Sequence, residues 1–457
     1  MPDKPVTLII SDLHVGGGPH DSGDDHVYQN NQLRSFIEEV GNSAEGQAGS
    51  LELFINGDFL EFAQVRPEVY TLGSAYYWCS EKESMEKLNT IVDGHSDIFA
   101  ALKDFQGHGN QVTLSAGNHD VDLYWEDVQK RLREVAGPVA FATGEDVYTR
   151  YGGKLVVGHG HMLDPANSFE NWAEPFVVTK NGELRLAMCP GTLFMVKFVN
   201  KLEEKYKFSD NMKPITALAR LLLKEEKMGF VAAAWSLLRF IGRNPITALG
   251  ADAFDPVKSA AIGSRIADEL ITNSAFLSDV TNLYQRFIDS SVTQVEVADR
   301  LETDKGVVEF ITELTVKVDP DDWVNVFDPL GSSTLGSSPD HLSIIQAGMA
   351  KDKEDLRADA ELRMAMSNIE VVVFGHTHQP DEWRGVEGKS DGGYFNPGSW
   401  TRYVDVSDME NLKLADLKDE QDFPYQLNYI RVAQMSSGKL RADKICFDQA
   451  DGSKFKV

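Results

Sequence analysis

Five times along this chain, a short run of aliphatic and β-branched residues ends abruptly in a loop crowded with Asp, His, Asn and Gly. Val6 to Ile10 leads into SDLH, Leu51 to Ile55 into NGDFLEF, Gln111 to Leu114 into SAGNHD, Lys154 to Val157 into GHGH, and Ile369 to Phe374 into GHTH. Short Val/Ile/Leu runs bounded by glycine read as buried strands, because both faces of such a strand must meet apolar partners. Stretches with helical spacing, Asn31 to Val40 and Met85 to Phe105, separate the first three runs. The alternation predicts an α/β sheet. Sheets of that kind place their functional groups on the polar loops at strand ends.

The loops carry the donor types that hard divalent cations take, namely carboxylate and amide oxygens together with neutral imidazoles. Two cations bridged by one carboxylate need ligands from several strand ends, since one loop cannot surround both. Asp12 and His14 are one residue apart, so in an extended segment they project to the same side. Asp58 follows a strand and a glycine that permits close backbone approach, which suits the bridging carboxylate. Asn118 offers a neutral carbonyl oxygen, and His159 and His376 offer imidazoles, a set suited to the second ion. His378 completes the first. The mixed donors are compatible with Mn²⁺ foremost, and with Fe or Zn²⁺.

The interval from 166 to 366 breaks the rhythm and reads as a mostly helical cap inserted into a catalytic domain formed by 1–165 and 367–457. Within the cap, Met228 to Leu238 is almost wholly apolar but short of the ~20 residues a membrane span needs. It reads as a buried helix, with a groove for a lipid chain as the alternative. Thr293 to Phe310 has the rhythm of a helix-turn-helix but carries more acids than bases, which argues against DNA. Beyond the last loop, Tyr394 to Trp400 and the alternating run Tyr425 to Cys446 read as strands closing a second sheet.

Acidic residues number 71 against 44 basic ones, a net charge of −27 that repels polyanions, so nucleic acid is a disfavoured substrate. The three cysteines, Cys79, Cys189 and Cys446, have no CxxC spacing. Neither a disulfide framework nor a thiolate zinc site is expected, and a reducing cytoplasm is the default compartment. The opening apolar run is too short for a signal peptide, which leaves peripheral membrane contact as the form a membrane association would take.

Taken in order, SDLH, NGDFLEF, GNHD, GHGH and GHTH resemble the five-part signature of the calcineurin-like metallophosphoesterases. NPGSW, Asn396 to Trp400, is similar to the segment after the last histidine pair in many bacterial members. The resemblance implies a four-layer αββα sandwich and two metal ions, one held by Asp12, His14, Asp58 and His378, the other by Asp58, Asn118, His159 and His376. It also implies that His119 protonates the leaving oxygen, that Glu61 orients His119, and that water activated between the ions attacks phosphorus. His161 and Asp164 of GHGHMLD are read as substrate contacts, as outer support for the ligands or as structural groups. His95 and His108 read as surface or helix-end residues.

Protein serine/threonine phosphatases of this superfamily carry GDxVDRG, whereas NGDFLEF has Phe62 where that arginine pair begins. The stretch His159 to Asn167 is similar to bacterial relatives of the UDP-diacylglucosamine hydrolases, which implies a lipid- or nucleotide-linked phosphoester or pyrophosphate. Those hydrolases usually carry Arg where this chain has His119, so a general phosphodiesterase or phosphomonoesterase stands beside them as an alternative. A nuclease and a non-catalytic scaffold of the same fold are the remaining readings.

Overall fold

Each of the five apolar runs overlaps a strand of the computed structural model, which describes residues 4–20, 30–69, 80–164, 167–179, 182–189, 355–384, 391–403 and 412–456, with short stretches at 191–192, 195–196, 200, 206–208, 281, 284–285, 288–301 and 313. In chain order the strands are β1 (Val6–Ile10), β2 (Leu51–Asn56), β3 (Gln111–Ser115), β4 (Ala140–Ala142), β5 (Tyr148–Arg150), β6 (Leu155–Val157), β7 (Phe176–Val178), β8 (Leu184–Leu186), β9 (Val371–Val373), β10 (Asp381–Trp383), β11 (Gly393–Asn396), β12 (Tyr425–Gln434) and β13 (Leu440–Ala450). The helices that pack on them are α1 (Asn30–Asn42), α2 (Ala44–Gln47), α3 (Glu81–Gly94), α4 (Ser96–Gly107) and α5 (Glu126–Ala136). The fold is mixed α/β.

One sheet has the order β13-β12-β1-β2-β3-β4, a second the order β10-β11-β9-β6-β5, and β7 and β8 pair as a hairpin. β1, β2, β3 and β4 run parallel, as do β6, β9 and β11. Parallel strands buried on both faces explain why these runs are nearly all apolar. Alternation then sorts the side chains. Leu8, Ile10, Leu53, Ile55, Val112 and Leu114 join helix residues such as Phe36, Leu88, Leu102 and Leu132 in one core. From the opposite face, Ile9 and Phe54 join Leu155, Val157, Val371, Val373 and Phe395 of the second sheet in another. Val156, Val372, Phe374 and Tyr394 of the second sheet pack with Leu356, Ala360 and Met364 of the helical residues 355–366 in a third.

Between the sheets sits a buried charge. Glu52 is fully enclosed, yet its carboxylate accepts two hydrogen bonds from Arg150 at 2.7 and 2.9 Å and one from Thr113 at 2.7 Å. Burying an unpaired carboxylate is prohibitive, so Arg150 on β5 ties the second sheet to the first through β2.

The stretch Met85 to Phe105 is two helices, broken at His95, whose backbone is non-helical. His95 is thus a helix-end residue, and a wholly buried one, while His108 ends α4 in solvent. One expectation is corrected here: the run Tyr425 to Cys446 does not close the second sheet but forms β12 and β13 of the first, β12 pairing antiparallel with β1, and of the two C-terminal runs only β11 adds to the second. The alternating pattern specifies strands but not which free edge they find. α3 begins at Ser80, whose hydroxyl accepts from the Glu83 N–H while Glu83 accepts from the Ser80 N–H, a capping box that fixes its start.

By contacts, the chain divides into one unit of Met1–Val196, Ala350–Tyr403 and Glu420–Val457 and another of Lys197–Met349 and Val404–Asp419. The first unit thus includes residues up to Val196 that the sequence pattern assigns to the helical insertion. They contain the β7–β8 hairpin and bury Phe169 and Trp172 in the main core. In the second unit, helix α6 (Gln294–Leu301) starts at Thr293, whose hydroxyl accepts from the Glu296 N–H while Glu296 accepts from the Thr293 N–H. The apolar run Met228 to Leu238 lies outside the described residues. No helix among the described residues is long and apolar enough to cross a membrane.

Candidate metal centre

Among the described residues, six other than glycine have positive φ, and five of them are expected ligands: Asp12 at 55°, His14 at 48°, Asp58 at 50°, His376 at 67° and His378 at 58°. The left-handed region is unfavourable for side-chain-bearing residues, and strain of this kind gathers where function requires it. Asp12 and His14 therefore do not sit in extended backbone. What points them together is the pairing of the loop after β1 with the loop after β2, in which Asp12 donates to the Gly57 carbonyl at 3.2 Å and Leu13 and His14 donate to the Asp58 carbonyl at 2.8 and 3.0 Å.

Glycines let these loops close. Gly57 has φ +78°, and a Cβ there would lie 2.4 Å from Nδ1 of His159. A Cβ on Gly117 would lie 2.2 Å from Oδ1 of Asp58.

Among the described residues the donor atoms gather in three overlapping groups, each with its atoms within 4.8 Å of one another: Asp12, His14 and His378; His14, Asp58 and His119; and Asp58, His159 and His376. Asp58 belongs to two of them. Its Oδ2 lies 3.1 Å from Nε2 of His159 and 4.0 Å from Nε2 of His14, and Oδ2 and Oδ1 thus face different neighbours, Oδ1 accepting from the His119 N–H at 2.9 Å. Nε2 of His14 and Nε2 of His378 face each other at 3.0 Å, with Asp12 Oδ1 3.5 Å from the latter. Opposed ring nitrogens beside a buried carboxylate are what a shared cation satisfies. Asn118 Oδ1 is buried without a hydrogen-bond partner, an acceptor whose desolvation is otherwise uncompensated. These buried groups fit a metal ion.

Glu61 is fully buried and serves two histidines. It accepts from Nδ1 of His14 at 2.7 Å and from Nδ1 of His119 at 2.8 Å. A carboxylate on Nδ1 fixes each tautomer and leaves Nε2 directed elsewhere. Burial alone would raise the Glu61 carboxyl, but His119 and His14 outweigh it and hold it at about 2. Burial likewise opposes ionisation of Asp58, yet His159, His119 and His14 keep it well below the ordinary range. Burial would lower His159, but Asp58 and Asp12 raise it to about 9.

The sequence pattern gave no role to Asp120, the last letter of GNHD. Its carboxylate accepts from the N–H groups of Gly117 at 2.6 Å, Phe59 at 2.8 Å and Asp58 at 3.3 Å, tying the loop after β3 to the loop after β2. Burial and the neighbouring Asp58 charge push it up to about 7. Its presence within a recognised loop was the available signal. His161 is buried edge-on against Trp172, ring centroids 4.4 Å apart, and both ring nitrogens are without a hydrogen-bond partner. Burial, reinforced by His159 and His376, holds it well below the usual histidine value. Asp164 accepts from Nε2 of His376 at 3.0 Å.

No family model matches this chain, and a search of curated proteins finds no match.

Proposed function

We propose that the chain is a two-metal phosphoesterase of the calcineurin-like type, a four-layer αββα sandwich that hydrolyses a phosphoester or pyrophosphate bond on a lipid- or nucleotide-linked substrate. The observation that carries this reading is the position of Asp58, whose carboxylate stands between the Asp12–His14–His378 donors and the His159–His376 donors. The three cores support the layered reading, with helices outside each of two facing sheets.

On this reading one ion takes Asp12, His14, Asp58 and His378, and the other Asp58, Asn118, His159 and His376. Bound there, Mn²⁺, Fe or Zn²⁺ would supply Lewis acidity at the phosphoryl oxygens and an activated water. The protein's own part is proton placement and orientation. His119 donates Nδ1–H to Glu61, so its Nε2 is the atom that carries a proton to the departing oxygen. Its side chain is 15% exposed, while Glu61 is fully enclosed, so the acid reaches substrate and its anchor stays dry. Glu61 also holds His14, which couples the proton donor to one ion's ligand set.

The test is hydrolysis of bis-p-nitrophenyl phosphate by chelator-treated protein resupplied with Mn²⁺. Metal-dependent turnover that vanishes in Asp58→Ala supports the proposal. Folded wild-type protein that binds Mn²⁺ without turnover of diester, monoester or pyrophosphate substrates would favour the scaffold alternative.

A further inference from the structure

Two of the ligands proposed for one ion, Asn118 and His376, come from loops far apart in sequence, yet a bonded pair of residues, Asp164 and Asn167, touches both. Asp164 Oδ2 accepts from Nε2 of His376 at 3.0 Å and from the side-chain amide of Asn167 at 2.6 Å. Asn167 in turn accepts on Oδ1 from the Asn118 side-chain amide at 3.3 Å. The Asn167 backbone N–H also donates to the Asp164 carbonyl at 2.9 Å.

The chain of bonds has a direction. A carboxylate only accepts, so Asp164 forces the NH₂ end of Asn167 toward itself and the carbonyl end toward Asn118. Asn118 must then offer its NH₂ to Asn167, which leaves its carbonyl oxygen as the end available to a cation. That oxygen is the buried acceptor with no partner. On the other side, a proton held on Nε2 of His376 leaves Nδ1 with a lone pair. One carboxylate thus decides the polarity of both a neutral amide ligand and an imidazole ligand.

We propose that Asp164 and Asn167 are positioning residues that set the ligand polarity of Asn118 and His376 and so control occupancy of one metal site selectively. The proposal rests on the two-ion reading above. Asp12, His14 and His378 have no member in this chain of bonds, and their ion should not feel its loss. Outer hydrogen-bond partners of ligands typically contribute 10- to 100-fold in metal affinity.

The experiment counts ions rather than turnover. Chelator-stripped full-length protein is titrated with Mn²⁺ calorimetrically, and the bound metal is counted by elemental analysis. Wild type should take two ions; fewer would overturn the two-ion reading, whatever the variants do. Asn167→Asp is nearly isosteric but cannot donate to Asp164. It should keep one ion at wild-type affinity and bind the other about 10- to 100-fold more weakly. Asp164→Ala should do the same, and Asp164→Asn, which retains an acceptor oxygen, should recover part of the loss. The double variant should lose no more than the worse single one, since the two act in series. Two ions at wild-type affinity in Asn167→Asp, or equal weakening of both, overturns the proposal. Should Asp164→Ala fail to fold, Asn167→Asp still decides.

Discussion

Oδ2 of Asp58 and Nε2 of His159 lie 3.1 Å apart with both side chains almost wholly enclosed. In the metal-free protein this is a buried charge pair, and its pH dependence is set by the shifts. His159, raised to about 9, contributes stability that is complete below the ordinary histidine value of about 6.5 and is lost as pH rises through about 9. Asp120, raised to about 7, binds more protons folded than unfolded, so stability also falls as pH climbs toward 7. The chelated protein should therefore melt at lower temperature at pH 9 than at pH 6. An unchanged or rising midpoint over that window contradicts the pairing.

Metal binding should show the opposite trend. A cation at Asp58 and His159 must displace the imidazole proton, so affinity should increase between about pH 6.5 and 9 with a proton released. Calorimetry in buffers of different ionisation enthalpy measures that release directly, and a buffer-independent heat at pH 7 would contradict it.

Glu61 is asked to hold two imidazoles at once. Glu61→Gln, which can accept from one Nδ1–H but not carry the charge for both, should lower kcat by roughly 10²-fold on a substrate with a poor leaving group. The loss should shrink for p-nitrophenyl esters, whose leaving group needs no proton. Equal losses on both substrates would place the effect on metal binding instead of proton donation.

Gly57 combines φ +78° with a Cβ position 2.4 Å from the His159 ring. Gly57→Ala should cost about 2–4 kcal/mol, from left-handed backbone strain together with overpacking. Denaturant midpoints of the chelated protein measure it. A cost under roughly 0.5 kcal/mol would mean that the loop relaxes freely.

The link between the sheets is testable apart from the metal centre. Arg150→Ala leaves the enclosed Glu52 carboxylate without its cation and should destabilise by about 3–5 kcal/mol. Glu52→Gln with Arg150→Met should recover much of that loss, because removing both charges removes the desolvation cost. A double variant as unstable as Arg150→Ala would argue that packing, not charge, is what Arg150 supplies.

Much of the centre was legible in the primary structure because strand runs and polar loops are local signals. Apolar runs with buried-strand composition located β1, β2, β3, β6 and β9, and the loops after them supply every donor in the three metal-competent groups. Partner choice was not local. Nothing in Tyr425 to Cys446 says that it joins β1 rather than the second sheet, since any free edge accepts its hydrogen bonds. Nor does alternation reveal that Asp12 and His14 converge through left-handed backbone. Only the tertiary structure could show that Asp120 clamps two loops, that Glu61 serves two histidines, and that Asp164 and Asn167 connect Asn118 to His376. Residue types fix which chemistry is available. Long-range hydrogen bonds between loops decide which atom of each side chain faces the centre.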